Sequence, residues 1–200
     1  MSKKLSDCWQ TPQWLFDELN EEFSFDIDLC ATKENNKCPF FYSNYLKDTP
    51  ATAVHVFSKE SFKRHAERLG LKSAFMNPPY SNPKPFIEKA WEDSKHCKIV
   101  CLVKYDPSTK WWATFWNYED VLECWSCSSK FKEPFDIYRI YECLHCGGGS
   151  INLHLIGPKP GCEVRFFSKR IKFVAPKGLN GSSGPTFPCA LVIMDRRYLK

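Results

Sequence analysis

Residues 73–80 read Ser-Ala-Phe-Met-Asn-Pro-Pro-Tyr, a short apolar run that meets two prolines. The run at 73–76 predicts a buried β-strand, and the prolines end it because each fixes φ and removes a backbone N–H donor. Asn77 therefore follows a strand directly, in a rigid turn, and Tyr80 adds a flat aromatic face. Open α/β sheets bind ligands at the carboxyl ends of their strands, so this stretch predicts a fold class and a site together.

The chain before this stretch begins with a helix signal. Thr11 is a candidate N-cap and Pro12 a candidate first helical residue, and Leu15, Leu19 and Phe23 then recur every four residues. We expect an amphipathic helix here. Further strands are predicted at 25–29, 54–57, 99–103 and 190–194, and the strand-helix pattern resumes at 164–174. Further helices are predicted at 85–96, around 111–116, and at 58–69, where Ser58 is the cap and Phe62, Ala66 and Leu69 line one face.

The alternation of strands with helices predicts an α/β domain with a mostly parallel sheet. It is interrupted between Cys124 and Cys162, where two CxxC pairs and a run of three glycines occur. We therefore divide the chain into residues 1–123, an inserted module at 124–162, and residues 163–200, which return to the first domain. A Gly/Ser/Pro-rich stretch at 176–188 is predicted to be a mobile loop.

The composition favours a soluble cytoplasmic protein. The 200 residues carry a net charge of +5, a mild preference for polyanions. The first ten residues are polar, and no later run approaches the length of a membrane span. The eleven cysteines are then unlike a disulfide framework, because cytosolic thiols stay reduced, and metal binding, catalysis or burial must account for them.

Four of these cysteines have the spacing of a zinc site. Cys124 and Cys127 form one CxxC pair, Cys143 and Cys146 form the other, and fifteen residues separate the pairs. Two such turns supply the four thiolates of a structural Zn²⁺ site, which leaves no open position for catalysis. The alternative is four separate buried thiols. The basic and aromatic residues between the pairs suit DNA recognition, or a ribbon whose aromatics pack beneath the metal.

The Asn-Pro-Pro-Tyr turn is suited to a planar amino group. The Asn77 side chain and a backbone carbonyl of the turn can accept the two amino hydrogens, while Tyr80 stacks on the attached ring. The catalytic candidates are thus Asn77, Pro78, Pro79 and Tyr80. The alternative is a stiff structural turn in which the asparagine caps and the tyrosine packs.

Several short sequence blocks, taken in their order along the chain, resemble the phage-type DNA N6-adenine methyltransferase family. They cover most of residues 8–123 and 164–195 and comprise Trp9-x-Thr11-Pro12, residues 25–31 (Phe-Asp-Ile-Asp-Leu-Cys-Ala), 36–38 (Asn-Lys-Cys), 75–80, 107–112 (Pro-Ser-Thr-Lys-Trp-Trp), 169–173 and 188–192. The glycine-rich loop usual after the first strand of methyltransferases is absent, and residues 28–31 (Asp-Leu-Cys-Ala) stand in its place.

This resemblance implies a Rossmann-like methyltransferase fold and methyl transfer from S-adenosylmethionine to N6 of an adenine flipped out of double-stranded DNA. It also implies cofactor contacts from Trp9, Thr11, Pro12, Asp28, Cys30, Ala31 and Asn77. We further expect a phage- or prophage-encoded protein that acts in the bacterial cytoplasm as a monomer or weak dimer, with no membrane partner.

Two other classes of function remain open from the sequence. A turn of this kind also serves methyltransferases that act on RNA adenine or on a protein glutamine amide, since both targets are planar amino groups. A catalytically silent zinc-ribbon DNA-binding protein is the other class. Cys189 begins an apolar run and is interpreted as a buried strand thiol, and Asp106 as a cap or turn residue.

Overall fold

The structure, a computed structural model, describes residues 7, 9–42, 59–116, 121–124, 126–132, 143, 145–148, 151–154, 157–175 and 187–199. The chain forms two compact units. One comprises Met1–Thr114 with Pro160–Lys200, and the other comprises Phe115–Lys159. The predicted strand at 54–57, the helix cap at Ser58 and most of the loop at 176–188 lie outside the described residues.

The larger unit contains a six-stranded sheet. Its strands, in chain order, are β1 (Ile27–Asp28), β2 (Phe40–Phe41), β3 (Ser73–Met76), β4 (Lys98–Lys104), β8 (Cys162–Phe166) and β9 (Cys189–Met194). They are arranged in the order β2-β1-β3-β4-β9-β8. The first four are parallel, and β9 runs antiparallel to both of its neighbours. A mixed α/β fold with a mostly parallel sheet is therefore confirmed, consistent with a Rossmann-like architecture.

Both central strands predicted from continuous apolar runs are buried on both faces. All six residues of β9 are buried, as are the five interior residues of β4. One face of the sheet contributes to a core cluster with the first helix, α1 (Gln13–Phe23). The cluster consists of Leu15, Phe16, Leu19, Phe25, Cys38, Phe75, Val100, Leu102, Ile171, Phe173, Cys189, Leu191 and Ile193.

Three α-helices and one 3-10 helix accompany this sheet in the described ranges. α1 buries Leu15 and Leu19 as predicted, but its N-cap is Pro12, so the prediction that Thr11 caps it is wrong. The helices α2 (Lys59–Leu69) and α3 (Lys84–Asp93) follow, and the aromatic stretch forms the 3-10 helix Lys110–Thr114. Gly70, at φ 62°, ends α2 as expected of a left-handed C-cap.

The smaller unit contains a three-stranded antiparallel sheet in the order β6-β5-β7. Its strands are β5 (Val121–Cys124), β6 (Lys130–Lys132) and β7 (Ile151–His154). The two ends of the unit are joined where Trp116 bridges Pro158 and the Lys159 N–H donates to the Phe115 carbonyl at 2.8 Å. Within the described residues, no helix is both long and apolar enough to cross a membrane.

Candidate active site

The carboxyl ends of β1 and β3 lie side by side in the sheet. β1 pairs with β2 on one side and β3 on the other, so the strand order reverses between β1 and β3. Such a switch point is where open α/β sheets bind ligands. Asp28 ends β1 and lies opposite Phe75 of β3, and Asn77 follows the last residue of β3. The sheet thus brings Asp28 and Asn77 to the carboxyl ends of two neighbouring strands.

The Asn77 amide has one atom engaged and one atom free. Its Nδ2 donates a hydrogen bond to Thr11 Oγ1 at 3.0 Å. Its Oδ1 is buried and has no hydrogen-bond partner among the described residues. A buried acceptor left without a donor costs about 1–3 kcal/mol. In this structure the amide nitrogen faces Thr11, which leaves Oδ1 as the acceptor that a donating ligand would satisfy.

Tyr80 packs against two aromatic rings beside this turn. Its ring meets Phe187 and Phe173 edge-to-face, with centroids 4.8 and 5.6 Å away. Burial raises the pKa of Tyr80 well above 10, and Cys189 adds to this shift while the Asn77 side chain opposes it. The phenol is therefore neutral at physiological pH. Its hydroxyl and Asn77 Oδ1 form no hydrogen bond of normal geometry with a described residue, although the two side chains lie close enough for Asn77 to lower the pKa of the tyrosine.

The N-terminal segment lies across the turn and holds it in place. The Asp7 carboxylate accepts from the Ser81 N–H at 2.9 Å and from the Ser81 hydroxyl at 2.7 Å. Gln10 and Val174 exchange two backbone hydrogen bonds of 3.0 and 2.9 Å. The Asp7–Ser81 contact is not predictable from the sequence, because the residues around Asp7 carry no recognisable motif.

Asp28 is buried at the end of β1, with 3% of its surface exposed. Its carboxylate accepts from the backbone N–H groups of Cys30 and Lys37, both at 3.2 Å, and so closes the loop between β1 and β2. Burial raises the pKa of Asp28 from 3.8 to about 6, against the opposing effect of these hydrogen bonds and of the Lys37 charge. Asp28 is thus a buried residue that organises its loop, unlike a solvated strand end.

The remaining candidate cofactor residues lie around the same end of the sheet. Pro12 and Ala31 are buried, and Cys30 and Trp9 are half-buried. Trp9 packs against the core cluster, and the Ala31 N–H donates to the Tyr42 carbonyl at 3.0 Å. Cys30 and Trp9 therefore keep some surface for a ligand.

Asp28 should give the stability of the protein a pH dependence. Because its pKa is higher in the folded chain, the folded state holds a proton that the unfolded state has lost, and the free energy of unfolding falls as pH rises from about 4 to about 6. A shift from 3.8 to about 6 corresponds to about 3 kcal/mol. Urea unfolding between pH 4 and 7 should show this decline in the wild type and a weaker one in Asp28→Asn.

Asp93 does not affect the comparison between the wild type and Asp28→Asn. Burial raises its pKa to about 6 as well, but it is present in both proteins and cancels in their difference. Parallel stability curves for the wild type and Asp28→Asn would contradict a raised pKa at Asp28.

A cavity of about 310 Å³ adjoins the Asn-Pro-Pro-Tyr turn, a size within the range of small-molecule sites. It is lined by Pro78, Tyr80, Ser81, Asn82, Pro83, Lys84, Val103, Lys104, Asp106, Thr109 and Trp111. It thus joins the turn after β3 to the residues that follow β4.

Asp106 has the turn role that the sequence suggests. Its carboxylate accepts from Ser108 Oγ at 2.6 Å and Lys104 Nζ at 3.2 Å, and its backbone carbonyl accepts from Thr109 Oγ1. The Ser108 hydrogen bond, followed by that of Lys104, lowers the pKa of Asp106, so the carboxylate is charged. Sequence reasoning did not select Lys104, and its position at the end of a buried strand is the one signal that could have done so.

The four cysteines of the two CxxC pairs converge in the smaller unit. Their Sγ atoms all lie within 4.8 Å of one another. Cys124 and Cys146 are 3.6 Å apart, and Cys127 and Cys143 are 3.5 Å apart. Every cysteine in the described ranges is a free thiol. His145, the other possible ligand in this stretch, is exposed.

Each CxxC pair forms a similar backbone turn. The Ser128 N–H donates to the Cys124 carbonyl at 2.8 Å, and the Gly147 N–H donates to the Cys143 carbonyl at 2.9 Å. Both turns place a residue at positive φ, 57° at Ser128 and 67° at Gly147, the second of which glycine adopts without strain. A hydrogen bond with the Ser129 hydroxyl lowers the pKa of Cys127 to about 6, which favours a thiolate.

Cys189 is the buried strand thiol that the sequence predicts. It is 3% exposed within β9, and burial raises its pKa to about 12. It is therefore protonated at neutral pH and unsuited to act as a nucleophile.

Comparison with known proteins identifies similar sequences. Residues 1–132 match the family model described as DNA N-6-adenine-methyltransferase (Dam). A DNA N-6-adenine-methyltransferase of Haemophilus phage HP1 is 37% identical over 113 residues, which cover 54% of this chain and 56% of the phage protein. One of Escherichia phage T1 is 33% identical over 110 residues, covering 52% and 39%. The chain thus matches about half or less of each relative's length. No solved structure matches it significantly.

Proposed function

Because the chain belongs to the DNA N-6-adenine-methyltransferase family, we propose that it transfers a methyl group from S-adenosylmethionine to N6 of adenine in double-stranded DNA. The observation that carries this proposal is the buried Oδ1 of Asn77 at the sheet's switch point, which forms no hydrogen bond of normal geometry with any residue that the structure describes. Both relatives are phage proteins, and we infer that this chain acts in a bacterial host cell.

Asn77 supplies a hydrogen-bond acceptor that makes the adenine amino nitrogen a better nucleophile. The N6 lone pair is delocalised into the ring, and hydrogen bonds from N6–H to fixed acceptors favour a pyramidal nitrogen with an available lone pair. Asn77 Oδ1 accepts one of these hydrogens, and a backbone carbonyl of the proline turn accepts the other. The two prolines keep both acceptors in place, so catalysis rests on positioning and electrostatics.

The cavity beside the turn is a candidate pocket for the flipped base. A base within a duplex cannot reach Asn77, so it must be extruded at a cost of a few kcal/mol. Tyr80 and Trp111 line this cavity with aromatic surface, and contact with such surface offsets part of that cost. The charged Asp106 carboxylate and Lys104 ammonium give it an acceptor and a donor for the base edge.

The residues at this end of the sheet fit S-adenosylmethionine, which carries a cationic sulfonium and amine together with ribose hydroxyls. Trp9 and Cys30 keep accessible surface for it, Thr11 positions Asn77, and the buried Asp28 carboxylate holds the loop that carries Cys30. These residues, with Pro12, Ala31 and Asn77, would hold the cofactor. When bound, it supplies an electrophilic methyl group. The chain's own part is to orient the amino nitrogen toward this methyl group and to exclude water from the site.

The cysteine cluster fits a structural zinc ion. Tetrahedral coordination with Zn–S bonds of about 2.3 Å places the sulfur atoms about 3.8 Å apart. The two closest S–S distances, 3.5 and 3.6 Å, are near this value, and all the others lie below 4.8 Å. We propose that zinc bound by Cys124, Cys127, Cys143 and Cys146 stabilises the inserted module. Its mixed basic and aromatic sequence makes it our candidate for target recognition.

Thr11 is expected to act through the orientation of the Asn77 amide. In Thr11→Val the side chain keeps its shape but loses the hydroxyl that accepts from Nδ2, so the amide can rotate and present its NH₂ group to the base. We expect kcat for methyl transfer to fall about tenfold, the equivalent of about 1.4 kcal/mol. Thr11→Ser keeps the hydroxyl and should retain most of the activity. Equal activity in Thr11→Val and Thr11→Ser would argue against this role.

Labelled cofactor tests the proposed function. The protein is incubated with methyl-labelled S-adenosylmethionine and, separately, with duplex DNA, RNA and a mixed protein extract. We expect label in DNA, recovered as N6-methyladenine after digestion to nucleosides. Label found in RNA or protein alone, or on cytosine, would refute the assignment.

A further inference from the structure

In the segment after β8, three of the four residues 169–172 are exposed cationic side chains. Lys169, Arg170 and Lys172 are exposed, whereas Ile171 and Phe173 are each 3% exposed and belong to the core cluster. The buried pair anchors the segment, so the cationic side chains between and beside them are held on the surface. We call Lys169, Arg170 and Lys172 the basic strip.

No carboxylate of the described residues neutralises the charge of the basic strip. None of its three side chains forms an ion pair with a carboxylate in the described ranges, and residues 166–175 contain no Asp or Glu. Arg165, just before, shows the contrast, since it binds Glu22 at 2.8 Å and Glu163 at 2.5 Å. An anchored group of unneutralised cations is suited to a polyanion.

The basic strip borders the proposed target-base site. The Phe173 ring is 5.6 Å from the Tyr80 ring, and Val174 bridges Gln10, the neighbour of Thr11. Thr11 in turn binds Asn77. The segment that carries the strip is therefore linked to the Asn-Pro-Pro-Tyr turn through the ring of Phe173 and the two backbone hydrogen bonds of Val174.

An exposed aromatic pair lies at the same edge of the sheet. Phe166 ends β8 and is 56% exposed, and its ring packs edge-to-face on Tyr105 at 5.0 Å. Tyr105 follows β4 and is 38% exposed. Both β8 and β4 are antiparallel to β9, so their carboxyl ends face the same way. Exposed aromatic rings beside cations are typical of surfaces that contact unstacked bases.

We propose that Lys169, Arg170 and Lys172 bind DNA phosphates beside the flipped adenine, and that Phe166, supported by Tyr105, contacts the bases that flipping exposes. This inference rests on the proposed function, because it takes DNA as the substrate. Phosphate contacts fix the register of a protein on DNA without reading its sequence, which leaves base recognition to other residues.

The salt dependence of DNA binding tests the basic strip. The full chain is titrated onto a fluorescent mixed-sequence duplex at several salt concentrations, and log Kd is plotted against log salt. Each phosphate contact contributes about 0.9 to the magnitude of this slope. We therefore expect Lys169→Gln, Arg170→Gln and Lys172→Gln each to reduce it by about 0.9, and Phe166→Ala to weaken binding without changing it.

Lys72→Gln is the matched control. Lys72 is exposed, forms no ion pair with a described carboxylate, and precedes the first residue of β3, at the opposite edge of the sheet. Its loss should leave the slope unchanged. The proposal is overturned if the three strip variants keep the wild-type slope, if Lys72→Gln reduces it equally, or if Phe166→Ala binds as the wild type does.

The two proposals fail in different ways. If the wild type methylates DNA but the strip variants bind with an unaltered slope, the strip inference alone is wrong. If the methyl label appears only in RNA or protein, the proposed function is wrong. If the strip variants then weaken binding to RNA and not to DNA, the inference about the strip is wrong as well. The melting temperature of each variant is expected to match that of the wild type. Weaker binding by such a variant then reflects a lost DNA contact and not a loss of folding.

Discussion

Asn77→Ala is expected to lower kcat for methyl transfer by about 100- to 1,000-fold, the usual effect of removing one preorganised hydrogen-bond partner of a transition state. The variant loses the buried Oδ1 acceptor and the contact with Thr11. The rest of the site is untouched, because Pro78 and Pro79 fix the turn independently of the Asn77 side chain. Single-turnover methylation of a duplex under saturating cofactor measures the effect on the chemical step.

Asn77→Asp is the matched variant for this test. It keeps an oxygen acceptor at the same position, while the Thr11 hydroxyl can donate to the second carboxylate oxygen. We expect it to retain substantially more activity than Asn77→Ala. Wild-type activity in Asn77→Ala, or equal inactivity in both variants, would show that the acceptor oxygen is not what the reaction uses.

Loss of a single cysteine of the cluster is expected to unfold the smaller unit. The purified chain should contain about one zinc, and Cys124→Ser or Cys143→Ser should contain almost none, since both side chains are buried within the cluster. Structural zinc contributes on the order of 10 kcal/mol to folding a small module. Elemental analysis combined with limited proteolysis of residues 115–159 would reveal both effects.

Cys162→Ser provides the control for the cluster variants. Cys162 is a half-buried thiol of β8 outside the cluster, and its replacement should preserve both the zinc content and the protease resistance of residues 115–159. A metal-free wild-type chain that resists proteolysis in this unit would contradict the zinc assignment.

The sequence predicts best those features that local pattern determines. The apolar runs that became β4 and β9 are buried on both faces, and two prolines end β3 where the sequence says they should. The direction of β9 could not be predicted in this way, because a continuous apolar run indicates a buried strand whether its pairing is parallel or antiparallel. Its antiparallel pairing with β4 is a tertiary property.

Long-range contacts account for the incorrect or missing predictions at the site. A Thr-Pro pair before a helix predicts a capping hydroxyl, but the Thr11 hydroxyl binds Asn77, 66 positions along the chain. Asp7 likewise binds Ser81, 74 positions along the chain. In both cases a partner distant in sequence decides the outcome.

Helix periodicity was similarly limited at a helix end. Phe62 and Ala66 are buried along one face of α2, as predicted, but Leu69 is 41% exposed. It is the last residue of α2, immediately before Gly70 reverses the chain, so the described residues leave the apolar face partly uncovered there.

The most direct measurement is the distance between Asn77 Oδ1 and the amino nitrogen of the target base. It can be obtained from a crystal structure of the protein with a duplex substrate and S-adenosylhomocysteine, the demethylated cofactor. We predict a flipped adenine whose N6 lies within hydrogen-bond range of Oδ1, about 2.7–3.2 Å. A target base held elsewhere, with Oδ1 bonded only to protein atoms, would contradict the account.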